Sequence, residues 1–143
     1  MKISALPTNL VVIGGGPAGL MAAEELSRAS RQVDLYDAMP SVGRKFLVAG
    51  KGGLNLTHSE SFPQFLSRYG NHRAQIEPLL RLFGPDQLRG WAHDLGVDTF
   101  VGTSGRVFLV GMKTAPLLRL WLARLRLGGV SFHQRHRWLG WNS

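Results

Sequence analysis

The sequence predicts an α/β fold that opens with a βαβ unit. An apolar run, Leu10-Val11-Val12-Ile13, meets a glycine turn, and the turn meets a helix-forming stretch that begins at Pro17. Strand-forming residues return from about Gln32 to Tyr36 and end in Asp37. Gly14, Gly16 and Gly19 fit the spacing G-x-G-x-x-G, with the small residue Ala23 four positions after the last glycine. Between a strand and a helix, that spacing is the fingerprint of a Rossmann-like dinucleotide-binding turn.

Each glycine has its own task. Gly14 turns the chain sharply out of the strand, Gly16 lets backbone approach a pyrophosphate, and Gly19 lets the helix pack closely. Pro17 suits the first helical position, and the N–H groups left free from Ala18 onward face the phosphates. Asp37 stands close to the roughly 20-residue spacing of a ribose-binding acid, and its carboxylate can accept hydrogen bonds from ribose hydroxyls. The bland alternative is an ordinary glycine-rich turn followed by a solvated aspartate.

The remaining elements follow in order. The first helix should run from about Pro17 to Ser30, and its short connection to the second strand suits a parallel pair. Residues Ala38 to Ser59 read as a glycine-rich functional loop carrying Arg44, Lys45 and Lys51. Short helices are expected from Phe62 to Leu95, with Pro63 and Pro85 in first turns and Gly70, Gly84 and Gly96 at ends. Leu79, Leu80, Leu82 and Phe83 should be core, as should Leu88, Trp91, Ala92 and Leu95 at helical spacing. Thr99-Phe100-Val101 and Arg106-Val107-Phe108-Leu109, on either side of Gly102-Thr103-Ser104-Gly105, read as a hairpin. An amphipathic helix from about Lys113 to Leu127 buries Leu118, Trp121, Leu122 and Leu125 and leaves Arg119, Arg124 and Arg126 off the stripe. A last strand runs from Val130 to about Trp138.

Composition sets limits. At 143 residues and 44% hydrophobic content, the chain can bury one real core. It has no cysteine, which excludes disulfides, a Cys-x-x-Cys redox pair and a cysteine zinc site. His133 and His136 have no third ligand in view, so no metal is expected. No apolar run reaches the ~18 residues of a membrane span, and a cytoplasmic location is expected. Of the net charge of +8, residues 99–143 contribute 7 basic groups and no acidic ones. Such asymmetry suits a phosphate-bearing cofactor, a missing protein surface or RNA. The arginines of the amphipathic helix alternate with a core stripe, which argues against a nucleic-acid partner.

With these residues in place, the chain resembles the BaiN-like flavoproteins, also described as aminoacetone oxidase family FAD-binding enzymes. The resemblance rests on Gly14-Gly15-Gly16-Pro17-Ala18-Gly19, Gly43-Arg44-Lys45 and Gly50-Lys51-Gly52-Gly53-Leu54-Asn55-Leu56-Thr57. It continues through Thr103-Ser104-Gly105-Arg106-Val107-Phe108, Met112-Lys113, Ala115-Pro116-Leu117-Leu118-Arg119 and Arg135-His136-Arg137-Trp138. There are two departures from the family: Gly53-Leu54 stands where many relatives have Arg-Cys, which suggests a sub-branch, and Leu109 replaces a proline, expected to alter only a turn.

The resemblance implies a glutathione-reductase-type FAD-binding fold that is incomplete here. Residues 1–59 would form the Rossmann βαβ unit and cofactor loop. Residues 60–128 would form a helical segment, hairpin and amphipathic helix, and residues 129–143 a strand returning to the FAD domain. It implies that Gly14, Gly16, Pro17, Ala18 and Gly19 hold the pyrophosphate and that Asp37 holds the adenosine ribose, with Ala38 next to it among the cofactor-binding residues. Gly43, Arg44 and Lys45 would follow the diphosphate and ribityl region, and Lys51, Gly53, Asn55 and Thr57 would lie toward the flavin. The strand at Arg137 and Trp138 would touch adenine through its backbone. The implied activity is hydride transfer by an FAD-dependent oxidoreductase on a small-molecule substrate, with NAD(P)H as a possible donor and catalytic residues outside this sequence. The alternatives are an NAD-binding Rossmann dehydrogenase fragment and a non-catalytic remnant or basic RNA-binding module.

Overall fold

A computed structural model describes residues 10–29, 32–49 and 52–141. In chain order the elements are β1 (Leu10–Ile13), α1 (Pro17–Arg28), β2 (Val33–Asp37), α2 (Arg44–Ala49), β3 (Asn55–His58), α3 (Phe62–Ser67), α4 (Arg73–Leu82), α5 (Pro85–Asp94), β4 (Thr99–Val101), β5 (Arg106–Leu109), α6 (Thr114–Leu127) and β6 (Val130–Gln134). A single 3-10 turn, Gly70–His72, precedes α4. The chain divides into two units, residues 1–48 with 121–143, and residues 49–120.

The first unit is a parallel sheet in the order β1-β2-β6. Pairing aligns Val12 with Leu35, and Leu35 with Phe132. Because side chains alternate along a strand, Val33 and Leu35 fall on the face that α1 covers, while Val11, Ile13 and Tyr36 fall on the other. Leu20, Ala23, Val33, Leu35 and Val130 are buried. Complete burial of a leucine such as Leu20 contributes roughly 1.5–3 kcal/mol. The βαβ expectation therefore holds, and β6 pairs in parallel with β2. That strand ends earlier than expected, at Gln134. Arg135 takes a left-handed φ of 61°, so Arg137 and Trp138 lie past the ladder.

Glu24 lies on α1 and is only 2% exposed. Its carboxylate accepts a hydrogen bond from the Trp121 indole N–H (2.6 Å) and pairs with Arg28 (2.8 Å) and Arg124 (2.9 Å). This cluster ties α1 to the second half of α6. It also corrects the reading of Arg124 as a mere off-stripe cation, because the partner that draws it inward is far away in sequence.

The second unit holds an antiparallel sheet in the order β3-β5-β4, with α5 against β3 and β4. Val107, Leu109, Trp91, Ala92 and Leu95 are buried there. Leu109 is fully buried at the end of β5, so the leucine that replaces a proline is a core residue rather than a turn residue. Two expectations need correction. The stretch from Ala38 to Ser59 is not one loop: it contains α2 and β3, and β3 is invisible locally because its partner β5 lies about 50 residues on. Helix α4 buries none of its residues, and Leu79 (61%), Leu82 (79%) and Phe83 (41%) are exposed. Among the described residues that helix packs chiefly on α3 and the 3-10 turn, and much of its apolar side stays exposed.

His58 fastens the hairpin to β3. Its Nδ1 accepts the Glu60 backbone N–H at 3.2 Å, and its Nε2 donates to the Ser104 carbonyl at 3.1 Å. A Cβ at Gly105 would meet the His58 ring at 2.6 Å, so no larger residue fits where Gly105 takes φ +78°.

Two predictions follow from these contacts. Glu24→Ala should lower the unfolding free energy by about 3 kcal/mol in urea denaturation, since it strands buried donors, whereas Glu24→Gln should cost less by keeping an oxygen for Trp121. The guanidinium of Arg68, hydrogen-bonded to Glu60, holds the Glu60 carboxyl below its ordinary value. A depressed carboxylate pKa stabilises the fold above the unfolded value, and the contribution is lost as pH falls through the folded one. In Arg68→Ala, an NMR titration of Glu60 should move back up toward the ordinary glutamate range.

Candidate functional site

The site is built where β1 ends. Gly14 takes φ +103°, and its N–H continues the ladder to the Tyr36 carbonyl at 2.8 Å. Gly16 is the N-cap of α1 and Pro17 its first residue; no side chain caps the helix and no acid stands in its first turn. The first N–H groups of a helix carry partial positive charge, so this turn favours an anion.

Three glycines of the turn are distinguished by what a side chain would meet. A Cβ at Gly19 would lie 1.8 Å from the Gly14 carbonyl oxygen, so α1 can lie this close to the turn only with glycine there. A Cβ at Gly15 would strike Val42 at 2.3 Å and the Asp37 carboxylate at 2.8 Å. At Gly16 nothing lies within 4 Å. The backbone is therefore open where the fingerprint requires a pyrophosphate to approach. Gly15, a free position in the fingerprint, has no room for a side chain, and the run of three glycines was the only sequence signal of it.

Asp37 has a task that sequence reasoning missed. Its Oδ2 accepts the Gly15 N–H at 2.6 Å, and its Oδ1 accepts the Met39 N–H at 2.7 Å. The carboxylate braces the glycine turn and retains lone pairs for hydroxyl donors. The Gly43 N–H donates to the Gly15 carbonyl at 2.7 Å, with Gly43 at φ +72°. Just past β6, the N–H groups of Arg135 and His136 donate to the carbonyls of Met39 (3.1 Å) and Asp37 (2.9 Å). The result is a cleft of about 240 Å³ lined by Gly15, Gly16, Asp37, Ser41, Arg44 and Lys45, among others.

The residues expected to bind a cofactor are thus partly gathered. Gly14, Gly16, Pro17, Ala18, Gly19, Asp37, Ala38, Gly43, Arg44 and Lys45 all belong to this turn, its helix and the following segment. Arg137 and Trp138 line a different cleft, with Val11, Ile13, Tyr36 and His136. Gly53, Asn55 and Thr57 belong to the second unit. There Gly53 (φ +101°) faces the Met112 thioether, Asn55 is exposed and Thr57 is buried in β3. Lys51 lies outside the described residues. Among the described residues no cluster of histidines and carboxylates could hold a metal, and no helix is long and apolar enough to cross a membrane.

The geometry separates folding from binding at two neighbouring glycines. Gly16→Ala should leave the melting temperature close to the parent's and weaken dinucleotide binding at least about tenfold, because its φ of −76° suits alanine and its Cβ would enter the cleft alone. Gly19→Ala should instead destabilise the fold by about 2 kcal/mol or more. Thermal melts and fluorescence titrations of both variants check this pair.

Comparison with known proteins agrees with the fold. The chain is 38% identical to a ribosomal RNA dihydrouridine synthase of Haemophilus influenzae over 53 residues, which are 37% of this chain and 13% of that protein. It is 30% identical to a hydroxysqualene dehydroxylase of Sinorhizobium fredii over 134 residues, 92% of this chain and 28% of that one. The structure of Thermovibrio ammonificans THI4 superposes with a TM-score of 0.52 at 17% identity, covering 89% of this chain and 38% of that one. The chain therefore spans well under half the length of these relatives. The HI0933-like protein Rossmann domain matches residues 8–143, nearly the whole sequence, and the chain belongs to that family.

Proposed function

We propose that this chain is the FAD-holding portion of a flavin-dependent oxidoreductase. The observation that carries the reading is the open backbone at Gly16, facing a cleft that holds a bracing carboxylate and two cations. In this reading the N–H groups of Gly16, Ala18 and Gly19 take the diphosphate, whose negative charge Arg44 and Lys45 offset. Asp37 accepts hydrogen bonds from the ribose hydroxyls while keeping the turn closed. Gly53, Asn55, Thr57 and Lys51 serve the flavin side, and Arg137 and Trp138 the adenine. When bound, the flavin supplies the hydride chemistry; the protein orients it and shapes its electrostatics. NAD(P)H as electron donor, a cytoplasmic setting and a small-molecule substrate complete the reading. Family membership does not choose among substrates.

A second reading of the substrate comes from one relative, the ribosomal RNA dihydrouridine synthase. There the reacting ring would belong to an RNA, and the basic groups of residues 99–143 would meet phosphates. Binding of RNA would then fall steeply with salt.

The purified chain should show flavin absorption bands that survive gel filtration after addition of FAD. Asp37→Ala should lose them. Binding of NAD with no binding of FAD would favour the dehydrogenase alternative.

A further inference from the structure

The two cations of the cleft stand on a helix too short to place itself. Helix α2 has six residues, Arg44–Ala49, and isolated helices shorter than about 12 residues are marginal in water. Its position therefore comes from tertiary anchors. The first is Val42, which is 3% exposed. A Cβ on Gly15 would strike its Cγ1, so the valine side chain lies directly over the bare glycine. Beside it, the Gly43 N–H donates to the Gly15 carbonyl at 2.7 Å. The second anchor is Phe46, half-buried while the other residues of α2 are exposed. Its ring meets Trp121 edge-on, with centroids 6.1 Å apart and planes at 67°, a favoured aromatic geometry. The Trp121 indole is itself fixed, being 2% exposed and donating its N–H to Glu24 at 2.6 Å.

Between the anchors lie Arg44 and Lys45, both exposed and both lining the cleft. At 3.6 residues per turn, positions two apart point to nearly opposite sides of a helix. Turning Phe46 toward Trp121 therefore turns Arg44 away from it. Long cationic side chains lose rotamer freedom when an anion holds them. A backbone already fixed beneath them leaves less to be ordered on binding.

We propose that Val42 and Phe46 are positioning residues for the diphosphate: they seat α2 on Gly15 and Trp121 so that Arg44 and Lys45 meet the phosphates. Neither Val42 nor Phe46 lines the cleft; each acts through the cations. The inference rests on the reading of this cleft as the diphosphate site. It adds that the placement of the cations depends on an indole of α6, held by a carboxylate of α1.

The test is a double-mutant cycle read by calorimetric titration of the chain with ADP-ribose. Phe46→Ala should weaken binding about threefold or more. In the background Arg44→Gln with Lys45→Gln, itself weaker than the parent, the same substitution should change affinity by less than about twofold. A residue that serves packing alone would cost the same in both backgrounds, so equal losses would overturn the proposal. So would parent affinity in Phe46→Ala. Val42→Ala, at the other anchor, should repeat the pattern, so the result does not hang on the folding of one variant.

Salt gives a second readout. Added salt should weaken the parent more than Phe46→Ala, because screening acts on the cations that the variant misplaces; equal salt dependence would count against the proposal. A parent chain that binds no ADP-ribose would overturn the reading of the cleft itself. A parent that binds, with equal losses in both backgrounds, would overturn this inference alone.

Discussion

The approach of α1 to the turn after β1 governs everything else in the first unit. Gly19 sits so close to the Gly14 carbonyl that no Cβ can intervene. This contact fixes where the helix begins and hence where its unpaired N–H groups point. Once they are fixed, Asp37 and Gly43 can reach Gly15 from the neighbouring segment, one through its carboxylate and one through its backbone. Residues Arg135 and His136, just past the last strand, then hold the segment from Asp37 to Met39 in place. A cleft of ordinary backbone and two cations results, pre-organised before any ligand enters.

Much of this was legible in the sequence because it is local. A strand, a glycine turn and a helix start lie within 20 residues, and each leaves a mark in residue type: β-branched residues, glycine at left-handed positions, proline at the helix start. The hairpin of β4 and β5 was legible for the same reason. The elements that escaped depend on distant partners. Strand β3 exists because β5 accepts it, and nothing in Asn55-Leu56-Thr57-His58 announces that. The reading of α4 as core failed in the opposite sense: its leucines have core-like spacing, but spacing does not say whether an element lies against them.

The candidate site divides along the same line. The sharp turn at Gly14 and the close helix packing at Gly19 were legible from the glycine spacing. The acid at position 37 stood out by its spacing, but its bracing of Gly15 and Met39 did not, since a carboxylate bonded to backbone amides looks the same in sequence as a solvated one. Arg124 likewise read as a surface charge until Glu24, 100 positions earlier, was found beside it. Arg137 and Trp138 were assigned to a strand because the run before them is strand-like. The left-handed Arg135 ends that strand, and no residue type there foretold it.

The central claim is that the glycine turn and the Ser41–Lys45 segment form the diphosphate site. Amide NMR of the ¹⁵N-labelled chain during titration with ADP-ribose, which carries the diphosphate and ribose without a flavin, tests it most directly. The largest shifts should appear at the amides of Gly15, Gly16, Ala18 and Gly43, close to the groups that receive the phosphates. Saturable binding that leaves these amides unmoved and shifts residues elsewhere would contradict the account.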